Sequence, residues 1–327
     1  MESLIQVDNL VKKYAKSERA AVDNISFDVK EGEFFAFLGP NGAGKTTTIS
    51  ILTTTLNKTS GSVKIAGYDL DTEEKQVREN IGIIFQKPSL DLDLSAEENI
   101  RIHVSMYGIY PYRPFFKMMP ASYRKQITEL AEIVGLKENI FKRLKTFSGG
   151  MQRKFEIIRS LMHSPKILFL DEPTQGLDPV SRRSLWEYLN RAHLENGTTI
   201  FLTTHYLDEA EEVDRVCIID KGKISLIGTP SEMKNKLIDR FMVIDAMDRL
   251  ALEQELNGHP ISVTLDGQLR VNFTNETPQE IIAGLKTPLS KLKIHEPTLE
   301  DAYVNLLGKN AADNESEDDL VNKKVGA

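Results

Sequence analysis

The residues that most constrain this chain are Gly39-Pro40-Asn41-Gly42-Ala43-Gly44-Lys45-Thr46. They fit the pattern G-x-x-x-x-G-K-[ST], and their setting matters as much as the letters. Ahead of them runs Phe34-Phe35-Ala36-Phe37-Leu38, apolar throughout and without alternation. That predicts a strand buried on both faces, as in a parallel sheet. Behind them a helical pattern covers Thr46 to Leu56. A strand, a glycine-rich turn and a helix N-terminus in that order make a cradle for phosphate. Glycines let backbone N–H groups curl around a phosphate without side-chain clashes, and the helix end adds partial positive charge. Lys45 has the reach for β- and γ-phosphates, and the Thr46 hydroxyl suits Mg²⁺.

Such a loop needs a carboxylate at the end of a neighbouring strand. Ile167-Leu168-Phe169-Leu170-Asp171-Glu172 supplies two. Asp171 suits the magnesium shell, and Glu172 suits a general base that polarises an attacking water. Ile200-Phe201-Leu202 and Val216-Cys217-Ile218-Ile219 are further buried runs, and helical patterns cover Ser148 to Met162 and Val180 to Leu194. Strand–helix alternation of this kind predicts a parallel α/β core. Near the start, Leu4 to Asn9 and Ile25 to Lys30 alternate apolar with polar, and Glu31-Gly32 makes a turn. Those stretches predict half-exposed antiparallel strands.

A length of 327 residues predicts two domains. The balance of 41 Lys+Arg against 48 Asp+Glu, net −7, argues against non-specific nucleic-acid binding. A single cysteine, Cys217, excludes an intrachain disulfide and suits a reducing cytosol. The longest apolar run is Phe34 to Leu38, far short of the roughly 20 residues of a membrane span. Met1-Glu2-Ser3 lacks the start of a signal peptide. The expectation is a soluble, cytosolic chain whose membrane role, if it has one, comes through a partner.

Between Gln86 and Phe147 the pattern turns helical, predicting an inserted subdomain at about 87–160. Inside it, Gly108 to Pro120 holds three prolines, which disfavour a regular helix. Its aromatics and methionines fit either a docking surface or a loop folded onto its own core. A boundary at Gly228-Thr229-Pro230 separates residues 1–229 from a small α+β unit, 230–309. The unit reads as a strand Phe241 to Asp245, a helix Arg249 to Leu256 and a hairpin Ile261 to Phe273 turned at Asp266-Gly267. A helix Pro278 to Leu285, a strand Leu292 to Ile294 and a helix Leu299 to Leu307 complete it. Residues 310–327, with five acids and two lysines, carry too little apolar surface for a core and are predicted disordered.

Together these motifs resemble the nucleotide-binding subunits of ATP-binding cassette transporters, from about Leu4 to Gly228. The most diagnostic stretch is Phe147-Ser148-Gly149-Gly150-Met151-Gln152-Arg153, which is similar to the family's signature. Phe147 stands where Leu is usual, and Met151 where Gln often is. The resemblance implies ATP and Mg²⁺ as ligands. It implies an α/β fold with a P-loop NTPase core, an antiparallel β subdomain and an inserted α-helical subdomain, followed by the small C-terminal α+β domain. It also implies roles. Tyr14 stacks on adenine. Gly39, Pro40, Asn41, Gly42, Ala43, Gly44, Lys45, Thr46 and Thr47 hold the phosphates. Thr46, Gln86 and Asp171 serve the metal, and Glu172, His205 and Gln86 serve hydrolysis. Ser148, Gly149 and Gly150, with Gln152 beside them, meet the γ-phosphate of an ATP held by another chain, and Asp178 lies in the loop that reaches across. One loop and one signature per chain imply a head-to-tail pair, with a second copy or a homologous ATPase subunit.

Ile294-His295-Glu296-Pro297-Thr298-Leu299-Glu300-Asp301-Ala302-Tyr303 is similar to a C-terminal motif of daunorubicin-resistance-type exporters. Phe37 to Thr48 and Pro88-Ser89-Leu90-Asp91 are similar to that subfamily too. This implies an ABC-2-type exporter of a drug, lipid, glycan or peptide, with separate multi-span permease subunits. The chain would be cytoplasmic and peripheral on the cytosolic face of the membrane. The aromatic insertion after Tyr107 departs from the subfamily's shorter helix–turn. An importer ATPase and a soluble non-transport cassette remain the other readings, the latter disfavoured by the single cassette and the acidic balance.

Overall fold

A computed structural model describes residues 3–86, 90–237, 240–264, 266–273, 276–295 and 298–306. Chain contacts divide it into two units, Met1–Gly228 and Thr229–Ala327.

In the first unit, β1 (Ser3–Lys12), β2 (Val22–Lys30), β4 (Ser60–Ile65) and β5 (Tyr68–Asp69) form an antiparallel sheet ordered β2-β1-β4-β5. The alternation read in the sequence puts Ile5, Val7, Ile25 and Phe27 on its buried face. The second sheet has six strands. They are β3 (Phe34–Leu38), β6 (Ile81–Ile84), β7 (Ile167–Asp171), β8 (Thr199–Thr204), β9 (Arg215–Asp220) and β10 (Lys223–Gly228), ordered β10-β9-β3-β8-β7-β6. All its pairings are parallel except β10 with β9. Every residue of β3, β7 and β8 is buried, which is why their sequences do not alternate. Rings lock the sheets together. Phe27 of β2 lies 5.8 Å from Phe35, 5.4 Å from Phe37 and 6.1 Å from Phe201. Aromatic pairs of this kind contribute about 0.5–1.5 kcal/mol each beyond their buried area.

Helices α1 (Lys45–Leu52), α2 (Glu74–Asn80), α6 (Pro179–Asn196) and α7 (Leu207–Glu211) accompany the sheets. The helix expected to reach Leu56 ends at Leu52. Thr53 turns its hydroxyl onto the carbonyl of Ile49 (2.8 Å), and Thr55 bonds Ser50 (2.9 Å) through its hydroxyl. These side chains compete with the helix ladder and close it.

The insertion contains α3 (Ala96–Met106), α4 (Ala121–Ile133) and α5 (Gly149–Leu161). α3 opens with a reciprocal capping box between Ser95 and Glu98. The three helices pack through Ile100, Val104, Tyr123, Ile127, Phe155 and Ile158. The proline-rich stretch forms only a short 3₁₀ turn, Phe116–Met118. Its apolar residues divide into two sets. Ile109, Tyr110, Phe116 and Met119 pack onto the subdomain core, whereas Tyr112, Phe115 and Met118 face solvent.

The second unit contains α8 (Pro230–Leu237), β11 (Arg240–Ala246), α9 (Arg249–Glu255), β12 (Ile261–Val263), β13 (Leu269–Phe273), α10 (Pro278–Gly284) and β14 (Leu289–His295). Its sheet is antiparallel, ordered β12-β13-β11-β14, over a core that includes Met242, Ile244, Leu252 and Val271. Residues 299–306 are helical. The C-terminal motif has a plain structural task here. Thr298 and Asp301 exchange bonds at the start of this helix, hydroxyl to carboxylate at 2.7 Å and Asp301 N–H to hydroxyl at 3.2 Å. His295 lies 3.0 Å from the same carboxylate. Pro88-Ser89, Glu296-Pro297 and the acidic tail lie outside the described residues. No helix among the described residues is long and apolar enough to cross a membrane.

Candidate nucleotide site

The carboxyl ends of β3, β7 and β8 open onto the loop Gly39 to Lys45, the place where open α/β sheets take their ligands. The glycines there are demanded by space. A Cβ on Gly39 would collide with the carbonyl of Ile219, and one on Gly44 with the carbonyl of Ala21. Gly44 also has φ 110°, where an L side chain is strained. Lys45 is buried and donates to the carbonyls of Gly39 (2.7 Å) and Pro40 (3.2 Å). A cavity of ≈ 310 Å³ lies over the loop, with Asn41, Gly42, Lys45, Thr46 and Thr47 on one side and Gln86, Glu172 and Gln175 on the other.

Asp171 ends β7 and accepts hydroxyl bonds from Thr203 (2.6 Å) and Thr46 (3.5 Å). Burial pushes its carboxyl above the ordinary range, and the charge of Glu172 adds to that, while both hydroxyls and Lys45 oppose it. Glu172 has a left-handed backbone, φ 44°, which costs a non-glycine residue about 1–2 kcal/mol. Its N–H is held by the carbonyl and hydroxyl of Thr203, each at 3.1 Å. Its carboxylate meets three site residues. Oε1 lies 3.4 Å from Lys45 Nζ and 3.3 Å from His205 Nδ1, and Oε2 accepts from Gln86 Nε2 at 3.4 Å. The structure therefore brings Lys45, Gln86 and His205 around the Glu172 carboxylate, next to Thr46 and Asp171.

Residues 22–175 match the ABC transporter family. Along nearly its whole length the chain is 33% identical to the linearmycin resistance ATP-binding protein LnrL of Bacillus subtilis (strain 168), over 95% of this chain and 100% of that one. The chain belongs to the ABC transporter family. It is also 34% identical to the daunorubicin/doxorubicin resistance ATP-binding protein DrrA of Streptomyces peucetius, over 98% of this chain and 97% of the relative. A bacterial ABC transporter cassette solved as a dimer superimposes with a TM-score of 0.60 at 28% identity, over 69% of this chain and 98% of that one. The chain is an ABC ATPase.

The other expected ABC residues stand apart from that cavity. Tyr14 is 44% exposed and carries the Lys12 ammonium 5.3 Å from its ring centre. Ser148 caps α5, accepting the N–H of Met151 at 3.3 Å. Gly149 has open space around it, whereas a Cβ on Gly150 would collide with the Ser181 side chain of α6. Gly150 is therefore needed for two helices to touch, whatever else it does. Gln152 turns its amide to the carbonyl of Phe147 at 3.5 Å. Asp178 caps α6 through the N–H groups of Val180 and Ser181 and takes the Ser181 hydroxyl at 2.6 Å. The Ser181 bonds hold its carboxyl below the ordinary range.

Several residues around this site are given no role by the sequence. Gln175 accepts from Gln86 at 2.6 Å. Arg153, buried in α5, donates to the carbonyls of Phe85, Pro173 (2.8 Å) and Glu172 (3.4 Å), so it ties the signature helix to the backbone beside Gln86 and at Glu172. Glu209 looks in sequence like an ordinary acid opening a short helix, yet it is 2% exposed. It accepts the hydroxyls of Thr204 (2.6 Å) and Thr174, and the Thr204 hydroxyl in turn accepts the N–H of Tyr206 at 2.9 Å. Burial pushes the Glu209 carboxyl up, against the pull of those hydroxyls. Glu209 thus pins the turn carrying His205 to the loop that follows Glu172. Glu209→Ala should lower ATP turnover roughly ten- to a hundredfold, the cost of a misplaced reacting group, with ATP affinity by calorimetry unchanged. An equal loss in both measurements would mark general unfolding instead.

Proposed function

We propose that this ABC ATPase is the motor subunit of an ABC-2-type exporter, working as a head-to-tail pair under separate multi-span permease subunits at the cytosolic face of the membrane. One observation carries the reading. The phosphate loop, Glu172 and Gln86 line one cavity, with Asp171 bonded to Thr46 and His205 beside Glu172 behind its wall, while the signature residues Ser148 and Gly149, at the N-terminus of α5, lie outside it. A helix N-terminus with an open glycine suits the γ-phosphate of an ATP held by a second chain. Two such chains, identical or homologous, would hold two ATP molecules between them.

Within each composite site, Lys45 and the loop N–H groups hold the phosphates, and Tyr14 offers an exposed ring face for adenine. Thr46 and Asp171 fit Mg²⁺, since a hydroxyl and a buried carboxylate 3.5 Å apart are the hard oxygen donors it takes. When bound, the ion would neutralise charge on the phosphates. Glu172 takes the proton of the attacking water, with His205 beside Oε1 to orient it. Gln86 contacts Glu172 and sits at the entry to the helical subdomain, so it links hydrolysis to whatever that subdomain touches. A cleft of ≈ 530 Å³ between Thr53 to Thr55, Arg78 and Phe85 on one side and His103, Tyr107 and His163 on the other offers the permease a seat one residue from Gln86. The resistance names of LnrL and DrrA, which match both units of the chain, support export. The transported class, whether drug, lipid, glycan or peptide, is set by the permease.

Inside-out vesicles carrying the chain and its permease should accumulate substrate when given ATP. ATP-driven loss from preloaded vesicles would overturn export in favour of import, and failure to co-purify with any permease would overturn the motor reading.

A further inference from the structure

The aromatic insertion has more order than its prolines suggest. Arg101 of α3 is buried and donates from one guanidinium nitrogen to the carbonyls of Arg113 and Pro114, both at 2.7 Å. Its other side is held by Glu97 at 3.0 Å, and Glu97 accepts the hydroxyl of Tyr123 at 3.0 Å. Phe116 packs edge-on against Tyr123 and against Phe141, at 6.2 and 5.1 Å. The loop is thereby fixed, and it presents side chains outward. Tyr112 is 56% exposed, Phe115 68%, Met118 55% and Phe141 60%.

Along the insertion itself the charges have one sign, and the acid nearest in effect, Glu98, lies close enough to Arg143 to feel its charge without pairing with it. From Asn99 to Thr128 the chain has five cations and no acid, although its net charge is −7. Arg113 and Lys117 alternate with the exposed apolar groups, and Lys142 and Arg143 follow Phe141. All four are exposed, and among the described residues none of them lies within ion-pairing distance of a carboxylate. A protein-docking face draws its lysines to the rim and depletes its centre of charge. Apolar and aromatic tips interleaved with unpaired cations instead suit the interface of an anionic bilayer. There the apolar tips enter the headgroup boundary while Arg and Lys reach the phosphates.

We propose that Tyr112, Phe115, Met118 and Phe141, with Arg113, Lys117, Lys142 and Arg143, form a direct contact with anionic membrane lipid. It deepens the peripheral placement proposed above by giving the chain a hold on the bilayer that needs no permease, and it is tested without hydrolysis or transport.

The full-length chain should co-sediment with vesicles of an equal mixture of phosphatidylcholine and phosphatidylglycerol, less so at high salt, and hardly at all with phosphatidylcholine alone. The double variant R113Q/K117Q should weaken that partitioning roughly 30-fold, at about fivefold per cation. F115S/M118S should weaken it by roughly tenfold or more. Both should keep wild-type basal ATPase activity, since none of these residues lines the nucleotide cavity. Equal binding to both vesicle types, or unchanged binding by both variants, would overturn the proposal. So would variants that lose co-purification with the permease while vesicle binding is unchanged, which would make the patch a protein contact. A failed transport assay with intact vesicle binding would count against the exporter reading and leave this one standing.

Discussion

Glu172→Gln should bind ATP as tightly as the parent chain or more so, and hydrolyse it about 10²–10⁴-fold more slowly, the worth of a positioned general base. The amide matches the carboxylate in shape, and the bonds that hold residue 172 to Thr203 are donated by its backbone N–H, so they survive. What goes is the carboxylate that would accept a proton at the point where Lys45, Gln86 and His205 converge. Removing the negative charge also frees Lys45, 3.4 Å away, to serve the nucleotide alone. The expected consequence is an ATP-loaded pair that forms and does not reopen. Size-exclusion chromatography with ATP and Mg²⁺ should show a dimer that wild-type protein holds only transiently. Turnover near the wild-type rate would remove Glu172 from the base role.

Lys45→Ala acts one step earlier, on binding itself. A hydrogen bond from a charged donor contributes about 1.5–3 kcal/mol, so ATP affinity should fall roughly ten- to 150-fold for the loss of one. The loop should keep its path, because the close contacts of Gly39 with Ile219 and of Gly44 with Ala21 do not involve the lysine. The variant leaves Glu172 buried without its nearest cation, so a modest loss of thermal stability should accompany the loss of binding. Calorimetry with ATP is the test. Affinity equal to the parent's would mean that the phosphates lie elsewhere.

These two residues could be read from the sequence because each sits in a contiguous motif next to a fully buried strand. β3, β7 and β8 announce themselves for the same reason, since burial on both faces leaves an unbroken apolar run. What the sequence hid depends on contacts between distant segments. The stop of α1 at Leu52 rests on threonine hydroxyls returning to Ile49 and Ser50. The short strand β6 and the helix α2 carry patterns too brief to stand out. Thr203 holds Asp171 from another strand, and Glu209 joins Thr174 to Thr204 from a helix of five residues. None of these has a fixed spacing from its partner. The sequence places a helix start at Leu299, and the hydrogen bonds of Thr298 and Asp301 show how it is capped.

The contact of Gly150 with Ser181 has a mechanical consequence. α5 begins at the signature and α6 begins just after Gly176-Leu177-Asp178, and where they cross there is no room for a methyl group. Neither helix can spin about its own axis without driving a side chain into the other. The two segments that face outward from the cavity therefore behave as one stiff jaw. A displacement at either is felt at the other as a translation, and the work of closing on a nucleotide cannot leak away into twisting of a single helix.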